Sequence, residues 1–122
     1  MKKSDVFVYI AGKYTDKDML NTELNIAKAQ EIAIFMANNN VFYFCPHTHS
    51  RLMDYYAPEV SWKYWMAVDI KVIEDLCNCL IMVDNYQDSK GSLLEEAKAI
   101  ELGYPVFYSV KEFFNWYRKL KD

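Results

Sequence analysis

Apolar residues along this chain fall into short β-rich runs that alternate with longer stretches of helical period. Val6-Phe-Val-Tyr-Ile-Ala11 is the first run, and Gly12 ends it; it predicts the first, central strand of a sheet. Lys13 to Met19 is polar and reads as a loop. From about Leu20 to Asn38 the period is helical, with Ile26, Ala29, Ala33 and Met36 at spacings of three and four, and Asn38-Asn-Asn40 terminates it. Val41-Phe-Tyr-Phe-Cys45 predicts a second strand, closed by Pro46. His47 to Ser61 is the least regular part, with a short helical turn expected around Ser50 to Tyr55. Trp62 to Leu76 is helical again, placing Trp62, Met66, Asp69, Ile73 and Leu76 on one face. Leu80 to Val83 is the apolar run of a buried parallel strand. Asp84 to Gly91 is loop, a helix follows to about Leu102, and Gly103 stops it. Tyr104 to Tyr108 predicts the next strand, with Pro105 tolerated only at its start. Val110 to Leu120 is an amphipathic helix with Val110, Phe113, Phe114, Tyr117 and Leu120 on one side. Strands alternating with helices predict a three-layer α/β fold: a parallel sheet of four to five strands with helices on both faces.

Composition narrows this picture. The 122 residues, 52% hydrophobic, with three glycines and three prolines, make one domain over 1–122 with no linker. A net charge of -3 argues against a nucleic-acid binder, which would carry a basic stripe. No run approaches the roughly 18 apolar residues of a membrane span, and Met-Lys-Lys-Ser-Asp5 lacks a signal-type apolar region. Three cysteines without framework spacing fit reduced thiols in a cytoplasm.

In a βαβ unit ligands sit at the carboxyl ends of the strands, against a helix N-terminus. Ser89, Gly91 and Glu95 fall there. Ser92-Leu-Leu-Glu95 also reads as a capping box, in which the glutamate merely answers the first amides of the helix. Asp69 lies in an apolar stripe facing the sheet, and a buried carboxylate is costly unless paired or protonated. It is either an active-site group or a core aspartate satisfied by a backbone amide. Cys45, His47 and His49 would point the same way on an extended chain and offer three metal ligands. Nothing elsewhere offers a fourth, so neither metal nor cofactor is expected. Tyr55, Tyr56, Trp62, Tyr64 and Trp65 are divided between core, a subunit contact and a shelf for a ligand ring.

Several of these pieces occur together in one known group. Tyr9-Ile-Ala-Gly12, Asn25-Ile-Ala-Lys-Ala29, Cys45-Pro-His47, Trp65-Met-Ala-Val-Asp69-Ile and Asp88-Ser-Lys-Gly-Ser-Leu-Leu-Glu95, then Gly103-Tyr-Pro-Val106, come in order. Nearly the whole chain thereby resembles the nucleoside 2-deoxyribosyltransferase-like superfamily, which includes the 2'-deoxynucleoside 5'-monophosphate N-glycosidases. The resemblance implies a Rossmann/flavodoxin-like fold and cleavage of an N-glycosidic bond. It implies Glu95 as nucleophile, Asp69 as the acid serving the departing base, and Tyr9 beside the nucleophile. Gly12, Lys13 and His47 would contact substrate. Ser89 stands where transferases acting on free nucleosides resemble one another in having an acid, so it implies a monophosphate, cradled by Ser89, Gly91 and the helix N-terminus. The resemblance departs at Cys77-Asn-Cys79 and at Lys13-Tyr14, where base contacts vary.

The expectation is therefore a cytoplasmic hydrolase or transferase acting on a small nucleoside or nucleotide. It would be a homodimer or higher homo-oligomer, because that superfamily builds its sites at subunit interfaces. The rivals are a nucleotide-binding module that has lost turnover, which would lack Glu95 or Asp69, and an oligomeric scaffold with an inert pocket.

Overall fold

The computed structural model of the protein describes residues 1–122. Strands β1 (Phe7–Ala11), β2 (Phe42–Phe44), β3 (Cys79–Met82) and β4 (Val106–Phe107) form one sheet in the order β2-β1-β3-β4, with every pairing parallel. The helices are α1 (Met19–Asn38), α2 (Pro46–His49), α3 (Met53–Tyr56), α4 (Trp62–Asp75), α5 (Lys90–Glu101) and α6 (Val110–Tyr117).

Strand alternation divides the core. Val8, Ile10, Cys79 and Ile81 face one side, under Ala29, Ala33 and Met36 of α1 and Phe113 and Phe114 of α6. Tyr9, Ala11, Leu80 and Met82 face the other, under Ile73 of α4 and Ala99 of α5. This is the three-layer α/β architecture that the alternation predicts. The α1 stripe of Ile26, Ala29, Ala33 and Met36 is buried throughout. The four longer helices begin at side-chain caps, Asp18, Ser61, Ser89 and Ser109, whose oxygens accept first-turn amides. Gly103, at φ 75°, ends α5 in the left-handed region where glycine costs least.

The structure departs from the sequence reading in four places. β4 is only Val106–Phe107, because Pro105 brings no N–H and pairs only through its carbonyl, which accepts from Leu80 N at 3.0 Å. Two single-turn helices, α2 and α3, replace the one turn expected at Ser50 to Tyr55. Pro46 suits the first position of α2, and Leu52, at φ 59°, breaks the path between them. Because His47 and His49 lie on α2, the extended geometry behind the three-ligand metal reading does not exist. Cys45 belongs to the α1/α6 core, His47 is buried, and His49 packs on Phe44 at 5.1 Å.

On α4 only Ile73 of the predicted stripe is fully buried. Trp62 is 47% exposed and Leu76 48%, since α4 ends at Asp75 and Cys77 takes the inward position instead. Tyr55, Tyr56 and Tyr64 are exposed as well, so none of them is core. No helix is long and apolar enough to cross a membrane.

Candidate active site

A cavity of about 490 Å³ opens where the carboxyl ends of β1, β2 and β3 meet the N-terminus of α5. It is the crevice in which a parallel sheet with helices on both faces places its ligands. Gly12, Lys13, His47, Asp69, Ser89, Gly91 and Glu95 all line it. Tyr9 lies behind them, fully buried on β1, and its hydroxyl donates to the carboxylate of Glu95. The structure thus brings together the eight residues to which the resemblance gives catalytic or substrate-binding roles.

Glu95 is not a capping residue. Ser89 is the N-cap of α5, so Glu95 lies in the second turn, turned inward against the sheet and only 4% exposed. Its partner is Tyr9, 86 residues away in sequence. Burial pushes Glu95 up to about 8, the charge of Asp69 adds to the rise, and the Tyr9 hydroxyl opposes it. Asp69, half-buried on α4, is pushed up to about 7 by burial, again with Tyr9 opposing. Tyr9 itself is raised well above the usual phenol range by burial and then by the two carboxyls. The two carboxyls of this desolvated corner therefore titrate near neutral pH, while the phenol keeps its proton.

Above them is the first turn of α5. Ser89 Oγ accepts from Ser92 N at 3.1 Å, and Ser92 Oγ lies 3.0 Å from it. The amides of Lys90 and Gly91 precede any intrahelical acceptor and are the free donors of this turn. A Cβ at Gly91 would come within 3.2 Å of Met66 Sδ and 4.0 Å of Trp62 Nε1, so α4 presses against this helix start. Lys90 places its ammonium 5.1 Å from the Trp62 ring.

The opposite wall is the β1–α1 loop. Gly12 is glycine because a Cβ there would meet the Val83 side chain at 2.6 Å, which brings the end of β1 tight against β3. Lys13 contributes mainly its backbone: its N–H donates to Asn85 Oδ1 at 3.1 Å and its carbonyl lies 3.0 Å from His47 Nε2. Its ammonium is drawn 3.5 Å from Asp16. His47 is held below its usual range by burial and so is neutral; Nε2 donates to Lys13, and Nδ1 is left without a partner. Asn85 also donates to Asn25 Oδ1 at 3.1 Å, and Asn25 donates to the Tyr14 carbonyl at 3.2 Å.

Sequence reasoning missed this Asn25–Asn85 clamp as a device, and it missed Tyr14, Asp54 and Ser92 as cavity walls. Asn85 stands in a polar loop and Asp54 in an irregular segment, where no periodicity marks one polar residue above its neighbours. Trp62 and Trp65, two of the five aromatics considered as ligand shelves, line the cavity; the three tyrosines do not.

The profile of one family, described as a domain of unknown function (DUF4406), matches residues 6–108, from the residue before β1 to the residue after β4. The chain therefore belongs to that family. No curated protein matches it.

Proposed function

For this DUF4406 protein we propose cleavage of the N-glycosidic bond of a deoxynucleoside 5'-monophosphate or a close relative, by hydrolysis or by transfer to a second base. The observation that carries the reading is the buried Tyr9–Glu95–Asp69 cluster at the floor of the cavity, beside the first turn of α5. Glu95 Oε attacks the anomeric carbon as the electrons of the C–N bond pass to the base nitrogen, which takes the proton of Asp69. A water then attacks the same carbon, gives its proton to Asp69 and releases Glu95; in transfer, the nitrogen of a second base replaces water. Burial raises both carboxyls, Glu95 to about 8 and Asp69 to about 7, so the pair exchanges protons near neutral pH. The reactive form is the one with Glu95 ionised and Asp69 protonated, and the O–H that Tyr9 donates to Glu95 stabilises that carboxylate. The free amides of Lys90 and Gly91 and the helix dipole would hold the phosphate, while Ser89 caps the same turn by accepting from Ser92 N.

Resemblance to the nucleoside 2-deoxyribosyltransferase-like superfamily supports the same assignment. The enzyme is proposed to be cytoplasmic, consistent with three free, buried cysteines. It is proposed to be a homo-oligomer through the apolar face of α4 formed by Tyr64, Val68, Val72 and Leu76. The test is a chromatographic screen of nucleosides and 5'-monophosphates for released base. Release from at least one monophosphate is expected; a pocket that binds monophosphates yet releases no base is a binding module, not an enzyme.

A further inference from the structure

Resting on the reading above, we infer that Asp54, held by Tyr14, reads the nucleobase and selects guanine. The sheet order fixes which end of the cavity this is. α5 follows β3, whereas α2 and α3 follow β2, and β1 lies between those two strands. If the anion sits at α5 and the reacting carbon above Glu95, the base extends toward the wall built by α2 and α3. Asp54 is the only carboxylate that this wall contributes to the cavity lining.

The wall is built to present it. Tyr14 accepts from Leu52 N at 2.7 Å and donates to Asp54 Oδ1 at 3.3 Å, so a single hydroxyl fixes both the kink and the acid. Leu52 is held at φ 59°, a conformation unfavourable for a branched aliphatic residue, and that kink starts the turn carrying Asp54. Asp54 takes part in no ion pair; Arg51, three residues earlier, is committed to Glu23 at 2.6 Å. The Asp54 carboxylate therefore keeps unused lone pairs on both oxygens.

A carboxylate with two free acceptors matches a base edge with two adjacent donors, the ring N–H and 2-amino group of guanine, in a bidentate, charge-assisted pair. Adenine and cytosine offer one amino group each. Thymine and uracil set carbonyl oxygens on both sides of their single N–H, and these repel a carboxylate. Trp62 and Trp65 supply aromatic surface for any of the bases.

The test is calorimetric binding of the four common deoxynucleoside 5'-monophosphates in a Glu95→Gln background, so that each ligand persists, with base release followed in the wild type. The guanine nucleotide should bind at least about tenfold tighter than the thymine one. Adding Asp54→Asn should weaken the guanine nucleotide roughly ten- to a hundredfold and leave the thymine nucleotide unchanged or tighter. Tyr14→Phe should give a smaller loss with the same ranking. Equal binding of the four bases, or an equal loss for all of them in Asp54→Asn, would overturn base reading; continued base release would leave the proposed activity standing. Release from none of the four would overturn the activity and the inference together.

Discussion

The two faces of the sheet do different work. The α1/α6 face is an apolar core of aliphatic and aromatic side chains, with Phe113 at its centre touching Phe107, Phe114, Trp116 and Tyr117. The α4/α5 face has fewer buried apolar residues, and its deepest large side chain is a tyrosine bonded to a buried glutamate. An interior that spends its best-covered positions on a phenol and carboxyls sacrifices stability, since each is desolvated at a cost only partly returned by hydrogen bonds. One face holds the fold together, and the other holds the groups of the proposed chemistry.

The largest expected departure sharpens the chemical side. Ser89→Asp keeps the cap of α5, because aspartate is an equally good N-cap. It also puts a negative charge beside the proposed phosphate. Like charges about 4 Å apart repel by roughly 4 kcal/mol at a surface-like dielectric, so monophosphate affinity should fall about a thousandfold. The parent nucleoside should lose far less. Calorimetry of both ligands reads this directly, and equal losses would reduce Ser89 to a cap.

On the structural side, Phe113→Ala should cost about 3–5 kcal/mol by denaturant unfolding. Ile73→Val, beneath the site, should cost only about 0.5–1.5 kcal/mol. A reversed order would erase the distinction between the faces.

A smaller effect separates them by pH. Glu95 and Asp69 are both raised in the folded protein, to about 8 and about 7, above their values in an unfolded chain. Between roughly pH 4.5 and pH 7 the folded state therefore holds more protons than the unfolded one, and these two groups make stability fall as pH rises. Urea midpoints across that window should show the downward slope, and Glu95→Gln should flatten it. A slope unchanged by Glu95→Gln would mean that the carboxyl is not protonated in the folded state.

How much of this was legible in the sequence follows from which signals are local. Period gave the α1 stripe and the strand runs, because Ile26, Ala29, Ala33 and Met36 need only their own spacing to declare a buried face. Glu95 was visible as a candidate, but its local signal pointed to a cap. Its burial depends on Tyr9, a partner 86 residues away that no window of periodicity can see. Asp69 stood out only as an acid on an apolar stripe, and that stripe itself is buried only at Ile73. The path of the Pro46 to Tyr56 segment depends on the left-handed Leu52 and on Tyr14 reaching across to it, so the composition of that segment could not reveal Asp54 as a cavity wall.

The most direct test of the division between the faces is base release by Glu95→Gln, read on a preparation whose unfolding midpoint is measured alongside. Glutamine fills the same space and still offers Tyr9 an oxygen to donate to. The account predicts a loss of release on the order of a thousandfold or more, as for a removed nucleophile, with stability equal to or above that of the wild type. Retained release together with lowered stability would contradict it, and would make Glu95 a structural residue of the core.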